Sequence, residues 1–287
     1  MKNLSKFLLR VLILTILSIS STISLLIDPE KNLDHNILIY YTADLKRVYV
    51  CNKYLFYNEA KALEYQNYLY LNFNKNTSTY KPPGGTKNKI NKIKNKYMIG
   101  ERSYGYFVAI NPFSERFRER VWGDCGECYS KINISDFRNR VLEELNMYRK
   151  IHGVPSVSYD SKYNELAKSE AENFLKTHNS FICIRRTEYS CIYLELSNFD
   201  AHSMITSLYV KLMTYYNWKK NSYTPNLVNG VQLIWKKAKY IGLDFAIEGS
   251  FVTTFLIFSS KVTDDKNYKK NVFPVKSTYI KKYGTLP

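Results

Sequence analysis

The side chains best suited to chemistry are few: five cysteines and four histidines in 287 residues. Cys125-Gly-Glu-Cys128 has the spacing of a redox dithiol or of half a zinc knuckle. No second Cys-x-x-Cys completes a four-thiolate zinc site, and no helix N-terminus is expected there to activate a redox thiolate. Cys183 and Cys191 stand eight residues apart around Arg185-Arg186 and read as a short-loop disulfide. Neither has an imidazole partner of the kind a nucleophilic thiolate needs. Cys51 then competes for Cys125 or Cys128, and one of these three thiols is left over. His152, next to Gly153, reads as the end of a helix and not as a general base. His178 closes the apolar face of a predicted helix, where a hydrogen-bonded core histidine is the plain reading. A glycine-rich phosphate loop is absent from the sequence.

The chain that positions these residues opens with Lys2, Lys6 and Arg10 around an apolar run from Val11 to Ile19, followed by small residues near Ser20 and Ser24. That is the layout of a secretory signal peptide over residues 1–24. A membrane anchor would need about 20 apolar residues, and here Ser, Thr and Arg interrupt the stretch. Losing the segment removes three cations and takes the formal charge from +17 to +14. A secreted chain of this charge is attracted to acidic polysaccharide or anionic lipid, and nucleic acid is not its expected partner. Disulfides fit an oxidising compartment, and so do the sequons at Asn76 and Asn133.

Four segments follow the leader. Residues 25–73 read as a small ββα module: Asn52-Lys53 turns between two strands, and Asn58 is placed to cap a helix. Residues 74–133 read as a basic linker and an irregular cysteine-containing segment. Between Lys75 and Arg102 eight cations face one acid, and Pro82-Pro-Gly-Gly85 breaks any regular element. From 134 to 274 the pattern becomes periodic. Phe137, Val141, Leu145 and Tyr148 form one helical stripe with Ser135 as the expected N-cap, and Gly153 with Pro155 stops it. Further helices are predicted after Asp160 or Ser161, from Asp200 to about Trp218, and around Val228 to Lys236. Two alternating runs, Tyr240–Ile247 and Phe251–Phe258, make a hairpin across Glu248-Gly249. A tail occupies 275–287. The fold class is α+β.

Two segments carry a resemblance. Glu144-Leu-Asn-Met-Tyr-Arg-Lys-Ile-His-Gly-Val-Pro155 and Asn229-Gly-Val-Gln-Leu-Ile-Trp235 are similar to signatures of the CAP superfamily, the secreted SCP/TAPS proteins that include venom allergens and plant PR-1 proteins. Gly242, Phe258-Ser259 and Lys269, Asn271 and Val272 fall where that family has its later motifs, so the resemblance covers about half the chain. It implies a three-layer α-β-α sandwich in the C-terminal half and a central cavity holding two histidines and two glutamates. His178 matches the first histidine. Tyr193, Lys211 and Asn229 stand where the other three ligands belong, with Glu195 close enough to serve in a shifted register. A zinc-type site wants at least three protein ligands, and an unpaired lysine in the same space would repel the metal. The resemblance therefore implies a degenerate cavity with no metal and no catalytic residue. The expected function is extracellular binding of a protein or of a lipid such as a sterol, in host interaction or immune modulation. The alternative is a metal-dependent or hydrolytic activity kept through His178 and Glu195.

Overall fold

The computed structural model describes residues 35–285 apart from 73–76, 78, 104, 124, 126–127, 180–182, 184–186 and 264–265. The leader over 1–24, the sequon at Asn76 and the Arg185-Arg186 pair lie outside the described residues. In chain order the elements are β1 (Ile37–Thr42), β2 (Arg47–Cys51), β3 (Tyr54–Phe56), α1 (Glu59–Leu71), β4 (Thr86–Lys87), β5 (Lys96–Arg102), β6 (Phe107–Ala109) and α2 (Pro112–Trp122). They continue as α3 (Cys128–Lys131), α4 (Ile134–His152), β7 (Ser158–Tyr159), α5 (Ser161–Thr177), β8 (Ser190–Ser197), α6 (Met204–Tyr215) and α7 (Val228–Leu233). The last three are β9 (Tyr240–Glu248), β10 (Phe251–Phe258) and α8 (Ser277–Tyr283). Among the described residues no helix is long and apolar enough to cross a membrane.

The C-terminal half is the expected three-layer sandwich. Its sheet runs β7-β9-β10-β8, and β10 pairs antiparallel with both neighbours. Successive residues of a strand face opposite sides, and β10 is apolar on both. Val252, Leu256 and Phe258 face the layer built by α4, α6 and α7. Phe255 and Ile257 face α5, against Ala171, Phe174 and Ala167. All four residues of the predicted α4 stripe, Phe137, Val141, Leu145 and Tyr148, are completely buried. Asn133, not Ser135, caps α4: its side-chain oxygen accepts from Asp136 N–H. Gly153 ends that helix in the left-handed conformation at φ 68°, which glycine adopts without a Cβ penalty.

Gly242 lets α5 sit directly on the sheet. A Cβ there would stand 1.9 Å from the carbonyl oxygen of Tyr163, so the helix would have to move. Gly242→Ala is expected to cost about 1–3 kcal/mol, the usual range for overpacking. Urea unfolding measures it, and an unchanged midpoint would mean that α5 is not seated this closely.

The N-terminal half corrects the expected linker. Of the segment 74–133, residues 86–102 are not a solvated spacer. They include β4 and β5, and β5 is an interior strand of a six-stranded sheet ordered β4-β3-β2-β1-β5-β6. Lys96 to Arg102 pairs antiparallel along the whole of β1. Tyr97 and Ile99 go inward while the lysines stay outside. The ββα unit is thus part of a larger sheet. Its hairpin at Asn52 and its Asn58 cap, which accepts from Lys61 N–H, are as expected. The C-terminal residues are not a free tail either, because α8 buries Ile280 and packs on α2 and β5. One continuous apolar cluster runs from Ile37 and Tyr97 through Phe113 and Tyr209 to Trp235 and Val275, so the two sheets share a core.

Candidate functional site

The positions that the resemblance assigns to a metal cavity do not come together. His178 sits at the C-cap of α5 with φ 49°. It is exposed and paired through Nδ1 with Glu248 Oε1 at 2.9 Å, so it is not a core histidine. Tyr193, half-buried on β8, joins the small cluster of Phe174 and Phe255 on the α5 side of the sheet. Glu195 lies on the same face of β8, exposed and opposite Thr253. Lys211 and Asn229 are exposed on α6 and α7, helices of the other layer. The sheet therefore separates His178 and Tyr193 from Lys211 and Asn229. Among the described residues no three His, Cys, Asp or Glu side chains gather in a way that could hold a metal ion.

The motif residues serve the scaffold instead. Asn146 clamps the chain after α4, accepting from Val157 N–H at 2.8 Å and donating to Val157 O at 2.9 Å. Arg149 is fully buried and donates to four main-chain carbonyls, those of Pro155, Leu233, Trp235 and Ala238. Burial lowers its guanidinium pKa to about 10, still protonated at neutral pH. His152 Nδ1–H donates to Phe273 O, and Nε2 accepts from Tyr209 Oη at 2.9 Å. Gln232 donates to Ser260 O and accepts from Val262 N–H. Glu144, the other buried ionisable group of this region, accepts from the Trp122 indole and the Thr206 hydroxyl. Its pKa is raised, chiefly by burial. Asn146 is half-buried and the other four are buried, and each is hydrogen-bonded, as a buried polar network must be.

The cysteines resolve as two local bridges. Cys183 is joined to Cys191, as expected. Cys125 is joined to Cys128, so Cys51 competes for neither and is the free thiol. Its Sγ–H donates to His35 O, and burial pushes its pKa up to about 12, which makes it inert. A short helical turn does begin at Cys128, contrary to the sequence reading, but the bridge occupies both sulfurs.

A cleft of about 400 Å³ lies where the β1–β2 hairpin meets the end of α6. Four tyrosines line it, Tyr41, Tyr49, Tyr57 and Tyr215, with the cations Lys46, Arg47 and Lys219, and Leu45 and Asn217 complete the wall. Arg47 is held in place: Nε donates to Tyr41 Oη at 3.0 Å and Nη2 to Thr214 O at 2.8 Å. Tyr41 in turn donates to Tyr216 O. Burial holds the Tyr49 phenol above its ordinary range. No carboxylate is among its lining residues, and the nearby Glu59 Oε2 accepts from the Tyr49 hydroxyl at 3.4 Å. Sequence reasoning missed it, because Arg47 and Lys219 come from distant segments joined only by the shared core.

No protein-family model matches this sequence, and no curated protein matches it. Solved structures do resemble it. Na-ASP-1 aligns over 51% of this chain at 12% identity with a TM-score of 0.41. Venom allergen-like protein 4 of Schistosoma mansoni aligns over 49% of this chain and 91% of its own at 15% identity, TM-score 0.33. MpPR-1i aligns over 48% of this chain and 96% of its own at 13% identity, TM-score 0.33. The likeness is one of fold. At these identities it says nothing of what the chain does, and the chain spans only 41% of the length of Na-ASP-1.

Proposed function

We propose that this protein is a secreted, non-enzymatic binding protein built on a CAP-type scaffold. The observation that carries the reading is the fate of the four cavity positions: His178, Tyr193, Lys211 and Asn229 stand on both sides of the sheet, and three of them are exposed. Two disulfides favour an oxidising compartment. Asn133 is exposed, and its cap uses Oδ1, so a glycan on Nδ2 is compatible with the helix. Its partner outside the cell is a protein, a lipid or an acidic polysaccharide. The alternative, hydrolysis through His178 and Glu195, is disfavoured because His178 pairs with Glu248 instead.

Elemental analysis of the dialysed protein is the test. No stoichiometric zinc is expected, and no peptide turnover. One zinc per chain, lost in His178→Ala, would overturn the reading.

A further inference from the structure

We infer that the cleft between the β1–β2 hairpin and the end of α6 is a binding site for an acidic saccharide, one whose ring carries sulfate or carboxylate groups. This deepens the binding reading proposed above, and none of the four positions His178, Tyr193, Lys211 and Asn229 lines the cleft.

Three observations converge. The volume, about 400 Å³, lies within the roughly 300–1,000 Å³ of small-molecule sites. Tyr57 and Tyr215 keep 63% and 60% of their surface exposed on its walls. Exposed rings of this kind suit a ligand with an apolar face, and the C–H face of a pyranose stacks on them. Their phenol hydroxyls, which both donate and accept, match a ligand rich in hydroxyl groups. The third observation is charge. Lys46, Arg47 and Lys219 line the cleft with no carboxylate among the lining residues.

Arg47 cannot swing away, because Tyr41 and the Thr214 carbonyl fix its guanidinium. A charge held in position costs little ordering when an anion arrives. Lys46 is paired with Asp44 at 2.6 Å, but both side chains are more than half exposed. Such a pair is weak, so an anionic group competes for the ammonium. Asp44 itself opposes the ligand from the rim. A nucleotide would also offer a ring and an anion, and titration with ATP separates the two.

The probe is a heparin-derived tetrasaccharide, titrated calorimetrically into the full mature chain beside its desulfated counterpart and ATP. The sulfated probe should bind, and its affinity should fall with added salt. Lys219→Gln and Tyr215→Ala change exposed side chains, so their melting temperatures should match the parent. Each should weaken binding by roughly tenfold, the worth of one charge-assisted contact or one stacked ring. Asp44→Asn should tighten it. Lys168→Gln, which removes an exposed cation on α5, should leave it unchanged. Equal binding by the Lys219 and Tyr215 variants would overturn the inference, as would an equal loss in the Lys168 variant. Equal affinity for the desulfated probe, or tighter binding of ATP, would overturn it as well. The zinc analysis is independent, so failure here leaves the non-enzymatic reading to stand or fall separately.

Discussion

Replacing Arg149 by methionine should leave the protein unable to accumulate in folded form. Arg149 is wholly buried at the middle of the C-terminal half, and all four of its hydrogen-bond acceptors are main-chain carbonyls. Methionine fills a similar volume but donates nothing. The Trp235 carbonyl keeps a second donor in Ala238 N–H, so three carbonyls bear the loss. At about 1–3 kcal/mol for each buried group left unmade, the cost is about 3–9 kcal/mol. Whole domains are stable by only about 5–15 kcal/mol. Arg149→Lys keeps the charge but not the fork that reaches several acceptors at once, so it should recover only part of the stability. Urea unfolding of whatever soluble protein is obtained measures both. A methionine variant with the parent's midpoint would show that the carbonyl bonds carry no net stability.

Acidification should destabilise the protein through His152. Burial, the largest cause, lowers its pKa from 6.5 to about 4; repulsion from Arg149 adds to this, and the Phe273 carbonyl opposes it. Below pH 6.5 the unfolded chain takes up a proton that the folded chain refuses, so stability falls with pH until the folded pKa is reached. The loss is about 2 kcal/mol at pH 5 and about 3 kcal/mol near pH 4, at 1.36 kcal/mol for each pKa unit. That corresponds to a melting temperature lower by about 6–12 °C. Glu144 works the other way: its folded pKa is raised, so its protonation favours the folded state as pH falls through the carboxylate range. The contribution of His152 is isolated by His152→Gln, which does not titrate. The variant should be less stable at pH 7 but show a flatter decline between pH 7 and 5. Equal slopes for parent and variant would remove His152 as the source.

Much of the C-terminal half is legible in the sequence because its signals are local. The stripe of Phe137, Val141, Leu145 and Tyr148 states which face of α4 is buried, and Gly153 states where the helix stops. The β9–β10 hairpin declares itself by alternation on either side of Gly249. β8 is not legible in this way, since Cys191 to Leu194 puts four apolar residues in succession and breaks the alternation. The stretch containing β5 reads as linker for a physical reason. Tyr97 and Ile99 sit in a background of lysine and asparagine, and their partner strand is more than fifty residues upstream. Pairing at that distance leaves no periodic trace in a window of ten residues.

Sequence alone determined most of the helices and the β9–β10 hairpin of the C-terminal half, because those signals are local. The resemblance, and not periodicity, drew attention to Asn146, Arg149, His152, Gln232 and Gly242. Tertiary structure decided what those residues do, and where chemistry is absent or present. The resemblance puts His178, Tyr193, Lys211 and Asn229 into one cavity, but the first two lie on the α5 side of the sheet and the last two on helices of the other layer, and side chains on opposite faces of a sheet point away from each other. The tyrosine-lined cleft is the converse case. Arg47 and Lys219 lie far apart in sequence and become neighbours only because the N-terminal sheet and α6 bury their apolar faces in one core.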